Sequence, residues 1–94
     1  MPVVRMYKAM PCPYCSAALR YLREVKRVSV EEIDLTDDPD GRMELVRRTG
    51  RRTVPQIYVG EVHVGGYDDL RALDAAGGLD PLLRGEAPPA AGAP

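Results

Sequence analysis

Two cysteines three residues apart, in Cys12-Pro13-Tyr14-Cys15, are the only cysteines of the chain, and their spacing suits reversible disulfide chemistry. Residues three apart on a helix have Cβ atoms roughly 5 to 6 Å apart, and a disulfide wants about 3.5 to 4.5 Å. A small adjustment at a helix start closes that difference. It is easiest with Cys12 as the N-cap and Pro13 as the first helical residue, where its missing N–H costs nothing and its fixed φ suits the helix. The free N–H groups and positive dipole end of that helix then face the Cys12 sulfur and favour the thiolate, which is the nucleophile. Thiols so placed have pKa values of roughly 3.5 to 7.5. From Cys15 onward, Cys15, Ala18, Leu19, Leu22 and Val25 recur at helical spacing, with Arg20, Arg23, Glu24 and Arg27 on the polar side. That pattern predicts Cys12 as the accessible, attacking thiol and Cys15 as the shielded, resolving one. A zinc site is disfavoured by ligand count, because a single histidine, His63, cannot complete a tetrahedron. A permanent structural role is also disfavoured, since so short a loop restricts the unfolded chain very little.

The flanking patterns indicate the elements that must position this dithiol. The apolar run at residues 3–7 predicts a strand whose end meets the dithiol. Residues 28–35 form a second strand candidate, whose alternation slips phase near Glu31-Glu32 and so leaves its boundaries open. Asp38-Pro39 reads as an N-cap and first helical proline, with Met43 and Val46 inward and Arg47-Arg48 then Gly50 at the end. After Thr53-Val54-Pro55, residues 56–59 and 62–64 flank Gly60-Glu61 as a hairpin with a type II′ turn. Asp68 or its neighbour caps a helix carrying Leu70 and Leu73, Gly77-Gly78 stops it, and Asp80-Pro81 opens a last turn with Leu82 and Leu83. Strand, helix, strand, helix, hairpin and helix predict an α/β domain: a thioredoxin-like, four-stranded mixed sheet with helices on both faces. The domain spans residues 1–84. Residues 85–94, alanine, proline and glycine with little else, are expected to form a disordered tail.

Composition is that of one small soluble domain: 94 residues, 45% hydrophobic and 29% charged. Thirteen basic against fourteen acidic residues give a net charge of −1. That balance disfavours nucleic acid or an anionic membrane as partner. The apolar runs are far shorter than a bilayer needs, and the chain enters its first strand without a charged lead and hydrophobic signal segment. A cytoplasmic monomer is the expectation.

Three segments together, Cys12-Pro13-Tyr14-Cys15, Thr53-Val54-Pro55 and Gly65-Gly66-Tyr67-Asp68-Asp69, resemble those of a dithiol glutaredoxin. The ending Gly77-Gly78-Leu79-Asp80-Pro81-Leu82-Leu83 resembles the small bacterial type, and the likeness runs from about residue 3 to residue 83. Thioredoxin itself is disfavoured, because the chain has no tryptophan and carries Pro-Tyr between the cysteines. The resemblance implies a glutathione-dependent thiol–disulfide oxidoreductase with no tightly bound cofactor and glutathione as co-substrate. Its partners would be glutathionylated or disulfide-containing proteins, ribonucleotide reductase among the candidates.

Carried over residue by residue, the resemblance implies that Lys8 pairs with the glycine carboxylate of glutathione and that Tyr14 lies along the tripeptide. Within Thr53-Val54-Pro55, the Val54 backbone would pair with the cysteinyl part like an added strand, and Pro55 would follow a cis peptide and face the dithiol. Gly66, Tyr67 and Asp68 would receive the γ-glutamyl end through N–H groups at a helix start and the Asp68 carboxylate. Two positions depart from the family pattern: Pro11 stands where threonine or serine is frequent, and Tyr67 where a small residue or cysteine is. Arg51 and Arg52 are either solvated or attract the carboxylates of glutathione or acidic partners. His63 is expected as an exposed strand residue. Two other functions fit the same motifs. One is a carrier in which Cys12 and glutathione from two subunits hold a [2Fe-2S] cluster, against which Pro13 counts by stiffening the loop. The other is a redoxin reduced by a flavoprotein, against which the γ-glutamyl segment counts.

Overall fold

The structure, a computed structural model, describes residues 2–86; most of the expected tail, residues 87–94, lies outside the described residues. Val4–Lys8 forms strand β1 and Val30–Asp34 strand β2, paired in parallel with Val4 opposite Val30 and Lys8 opposite Asp34. Gln56–Val59 (β3) runs antiparallel to β1, and Val62–Gly65 (β4) antiparallel to β3, giving the order β2-β1-β3-β4. The mixed four-stranded sheet is thus as expected.

Alternation along β1 and β3 sorts the two faces. Val4 and Met6 stand beside Val59 and Ile57 on one face, all four buried, against the helices α1 (Pro13–Arg20), α3 (Tyr67–Ala75) and α4 (Leu79–Leu83). Tyr7 and Tyr58 occupy the other face, where the Arg48 guanidinium of α2 (Pro39–Thr49) lies 5.1 and 5.7 Å from their ring centres. Helices therefore cover both faces. The phase slip in β2 has a cause on the first face: Glu32 shares it with Val30 and is accommodated by Lys8 Nζ at 2.7 Å and Arg23 Nη2 at 2.9 Å. These cations hold the Glu32 carboxyl below its ordinary pKa, Lys8 more strongly than Arg23.

Four expectations are corrected. The helix after the dithiol is not regular to its end, because Tyr21–Val25 is a π-helical turn closed by the Lys26 N–H on the Tyr21 carbonyl. A π turn takes up more residues than an α turn and rotates the residues beyond it out of phase, so Val25 is turned outward and exposed rather than extending the buried stripe. In α2 the buried residue is Leu45, while Met43 is exposed and Val46 half-buried. The first strand is displaced by one residue, since residue 3 lies before β1 and Lys8 within it; the second, whose boundaries the alternation left open, runs from Val30 to Asp34. Finally, neither Asp68 nor a residue next to it is the N-cap of α3, although the neighbouring Asp69 satisfies the helix start from within the first turn. The N-cap is Gly66, whose N–H donates to Asp69 Oδ2 at 2.9 Å.

The helix ends of α2 are as read, whereas α4 begins at Leu79 after an N-cap at Gly78, so Asp80-Pro81 lies inside its first turn rather than opening it. Asp38 Oδ1 accepts the Gly41 N–H at 2.9 Å, Pro39 opens α2, and Gly50 closes it at φ 72°. At the hairpin, Gly60 has φ 59°, as the first central position of a type II′ turn requires.

Candidate active site

Cys12 is the N-cap of α1 and Pro13 its first residue, so the local sequence builds the expected helix start. The Cys15 N–H points at Cys12 Sγ at 3.0 Å, and the Ser16 N–H donates to the Cys12 carbonyl at 3.2 Å. The two cysteines are joined as a disulfide with Cα atoms 5.2 Å apart. Cys15 is 2% exposed, as expected of the shielded partner. Cys12 is only 8% exposed, which corrects the expectation of an open thiol. In the disulfide its sulfur turns inward toward Cys15 and under the Thr53-Val54-Pro55 segment, with the Val54 carbonyl oxygen 3.6 Å away. The Val54–Pro55 peptide is cis, as expected, and Met10–Pro11 is cis as well.

Next to the disulfide runs a groove of about 250 Å³ lined by Tyr14, Arg51, Thr53, Val54, Pro55, Gly66, Tyr67, Asp68 and Asp69. It brings together every residue that the resemblance assigned to the glutathione site except Lys8. Tyr14 is exposed at one side, its ring centre 6.5 Å from that of Tyr67. Arg71 in turn fixes Tyr67, donating to its hydroxyl at 2.9 Å. The groove ends at the start of α3, where helical N–H groups favour negative charge. Asp68 is exposed there, and among the described residues its carboxylate has no hydrogen-bond partner.

Lys8 lies elsewhere. Strand alternation puts it on the α1 face with Met6, diagonal to Glu32, and its ammonium is held there beside a cavity of about 60 Å³ that touches Cys15 and Ser16. Of the two arginines, Arg51 lines the groove and Arg52 a separate hollow beside α2.

Two residues contribute to the site in ways the sequence did not assign. Asp69 accepts the Gly66 N–H and pairs with Arg51 Nη1 at 2.5 Å, tying the two walls of the groove together. Arg51, first, and the Gly66 N–H hold its carboxyl below the ordinary range. The Gly-x-x-Asp spacing of a capping box could have shown it. Asp69 also accounts for Gly65, which has φ 113° and whose Cβ would lie 2.5 Å from Asp69 Oδ2. The second contributor is His63, which is half-buried rather than exposed, with its Nε2 2.6 Å from Gln56 Oε1. Burial, and then the Arg51 charge, push its pKa down.

A family model described as Glutaredoxin matches residues 4–64. A glutaredoxin of Pseudomonas aeruginosa is 51% identical over 83 residues, 88% of this chain and 98% of that protein. The solution structure of a Brucella melitensis glutaredoxin superposes with a TM-score of 0.77 at 44% identity, covering 93% of this chain and 95% of that one. A crystal structure of a buckwheat glutaredoxin–glutathione complex superposes with a TM-score of 0.78 at 29% identity, covering 89% and 78%.

Proposed function

The chain belongs to the glutaredoxin family of thiol–disulfide oxidoreductases, which have the thioredoxin-like fold, and from that premise we propose that it reduces protein–glutathione mixed disulfides and protein disulfides with glutathione as its reductant. The observation that carries the reading is the single groove that gathers Tyr14, Thr53, Val54, Pro55, Gly66, Tyr67 and Asp68 beside the Cys12–Cys15 disulfide. The buckwheat relative, crystallised with glutathione, supports it.

In the one-cysteine route the Cys12 thiolate attacks the glutathione sulfur of a glutathionylated protein. The protein thiolate leaves and takes up a proton, and a second glutathione thiolate then attacks the Cys12-bound glutathione, releasing oxidised glutathione and the Cys12 thiolate. In the two-cysteine route Cys12 attacks a protein disulfide, and Cys15 displaces the protein thiol to leave the Cys12–Cys15 disulfide. Two glutathiones reduce it again. The Cys15 N–H and the start of α1 stabilise negative charge on Cys12 in both routes.

Glutathione would lie with its cysteinyl backbone along Val54, as an added strand, and its γ-glutamyl end at Gly66, Tyr67 and Asp68, the carboxylate of Asp68 accepting from the ligand ammonium. Arg51 supplies positive charge to the groove wall for the ligand's carboxylates. Lys8, engaged by Glu32 outside the groove, is left out of this site. Residues 1–84 constitute the working domain, acting as a monomer in the cytoplasm. The test is a coupled assay that follows NADPH consumption with glutathione and glutathione reductase on a glutathionylated peptide. Turnover that saturates in glutathionylated peptide and requires glutathione is expected; turnover supported only by a flavoprotein reductase would overturn the reading.

A further inference from the structure

Among the described residues, Gln56 is the only polar residue that is buried, with no exposed surface. Its amide is saturated: Nε2 donates to the Thr53 carbonyl at 3.0 Å and lies 3.4 Å from Thr53 Oγ1, and Oε1 faces His63 Nε2 at 2.6 Å. We propose that Gln56, itself held by His63, is a positioning residue of the reaction: it turns the Thr53–Val54 peptide so that the Val54 N–H faces the groove and can pair with the bound glutathione moiety. This role rests on glutathione being the ligand of the groove.

The direction of each bond follows from chemistry. A backbone carbonyl only accepts, so the Gln56 group next to Thr53 must be the NH₂ end. The oxygen end is thereby directed at His63, which must carry its proton on Nε2, with Nδ1 bare in the neutral ring. The tautomer and the amide orientation are thus both set by one main-chain oxygen. The Tyr58 ring, 5.0 Å from that of His63, helps to hold the imidazole in place.

The consequence for the groove comes from peptide geometry. The Thr53–Val54 bond is not among the cis peptides, and in a trans peptide the C=O and the following N–H point in opposite directions. With the Thr53 carbonyl drawn to the buried Gln56, the Val54 N–H is directed away from the core. Thr53 and Val54 line the groove on that side, and among the described residues no protein group accepts this N–H. Without Gln56 the loop would have no buried donor to hold this peptide, and it could rotate before a ligand arrives. Affinity for the glutathione moiety would then fall, while bond exchange at Cys12 sulfur would not. His63 acts one step further out, since its N–H orients the Gln56 amide.

The test compares wild type with Gln56→Met, which keeps length and apolar volume, and with Gln56→Glu, which cannot donate to the Thr53 carbonyl. In the coupled assay both should raise the apparent KM for a glutathionylated peptide by about tenfold, the usual order for one lost buried hydrogen bond. The kcat and the alkylation rate of reduced Cys12 should change less than about twofold, a difference of only some 0.4 kcal/mol. A lowered melting temperature with unchanged KM would make Gln56 a packing residue and overturn the proposal. If neither variant folds, His63→Phe removes the outer donor at a half-exposed position and keeps a ring against Tyr58. It should raise KM by about two- to threefold, and an unchanged KM there would equally overturn the proposal. Wild type that does not turn over the glutathionylated peptide with glutathione would remove the glutathione reading, and this role with it. A glutathione-dependent wild type with unchanged KM in the variants would remove this role alone.

Discussion

The two cysteines differ less in exposure than in surroundings. Cys12 accepts the Cys15 N–H and lies under Val54, whereas Cys15 sits at the head of the buried stripe with Ala18 and Leu22. Only Cys12 therefore has both an anion-stabilising N–H and a path to the groove. Cys12→Ser is expected to abolish every activity. Cys15→Ser should keep deglutathionylation of a peptide and lose most reduction of a protein disulfide, as measured by the coupled assay on the two substrates; normal deglutathionylation by Cys12→Ser would reverse the assignment. The polar residues of the groove allow a second contrast. Asp68 has no partner among the described residues and faces the groove, whereas Lys8 is already paired with Glu32 outside it. Asp68→Ala should raise the KM for the glutathionylated peptide by up to about tenfold, the range of an exposed charge-assisted hydrogen bond. Lys8→Met should leave that KM within about twofold, or 0.4 kcal/mol, and instead lower stability by about 1 kcal/mol, because Glu32 loses the nearer of its two cations. A reversed pattern in the two KM values would put Lys8 in the ligand site.

At the scale of elements, what was legible in the sequence was what depends on neighbours along the chain. The N-caps Cys12 and Asp38, the prolines after them, the closing Gly50 and the Gly60 turn all act within a few residues, so residue type alone announces them. The ion pair of Lys8 with Glu32 depends on a parallel register between strands separated by a whole helix, and no local pattern states it. The π turn at Tyr21–Val25 was hidden for a related reason, since its residues suit an α-helix. Its surroundings supply contacts: Tyr21 and Lys26 both reach Asp74 of α3, and Lys26 also reaches Asp80 of α4 at 2.8 Å. The Arg71 guanidinium lies 4.5 Å from the Tyr21 ring centre. Lys26 and Asp74 side chains are about 15% exposed, so this junction is better shielded than a surface pair. Lys26→Met should lower stability by about 1 to 3 kcal/mol, mainly by leaving Asp74 without its cation. Chemical denaturation of the oxidised protein would measure it, and a change below about 0.3 kcal/mol would show that the junction is held by Tyr21 alone.

For the whole molecule, the topology explains why so much of the site could be read before the fold was known. The end of β1, the start of α1, the entry to β3 and the start of α3 meet at one end of the sheet, and the last three each carry one of the three motifs. The layer beneath was not legible, because Gln56, His63, Arg51 and Asp69 act through side-chain contacts that join separate elements. That layer and the α3–α4 junction also make stability depend on pH in a defined direction. Glu32, Asp69 and Asp74 are held below the ordinary carboxylate range, chiefly by Lys8, by Arg51 and by the Tyr21 hydroxyl respectively, and burial lowers His63. For all four the unfolded chain binds more protons than the folded one, so their contribution is present above the unfolded pKa and is lost as pH falls through the folded value. Lys26, bonded to Asp80 and Asp74, and Tyr21, bonded to Asp74, are both raised. Their contribution is present below the unfolded pKa and is lost as pH rises through the folded value. With unfolded values of about 6.5 for histidine, 4 for the carboxylates and 10 for tyrosine and lysine, the urea midpoint of the oxidised protein should be flat between about pH 7 and 9.5. It should decline slightly below about pH 6.5, steeply below about pH 4, and again above about pH 10. His63→Phe should remove the first, shallow step and leave the other two. A midpoint that rises as pH falls from about 7 to 5 would mean that His63 gains a proton more readily in the fold than out of it, contrary to its burial beside Arg51.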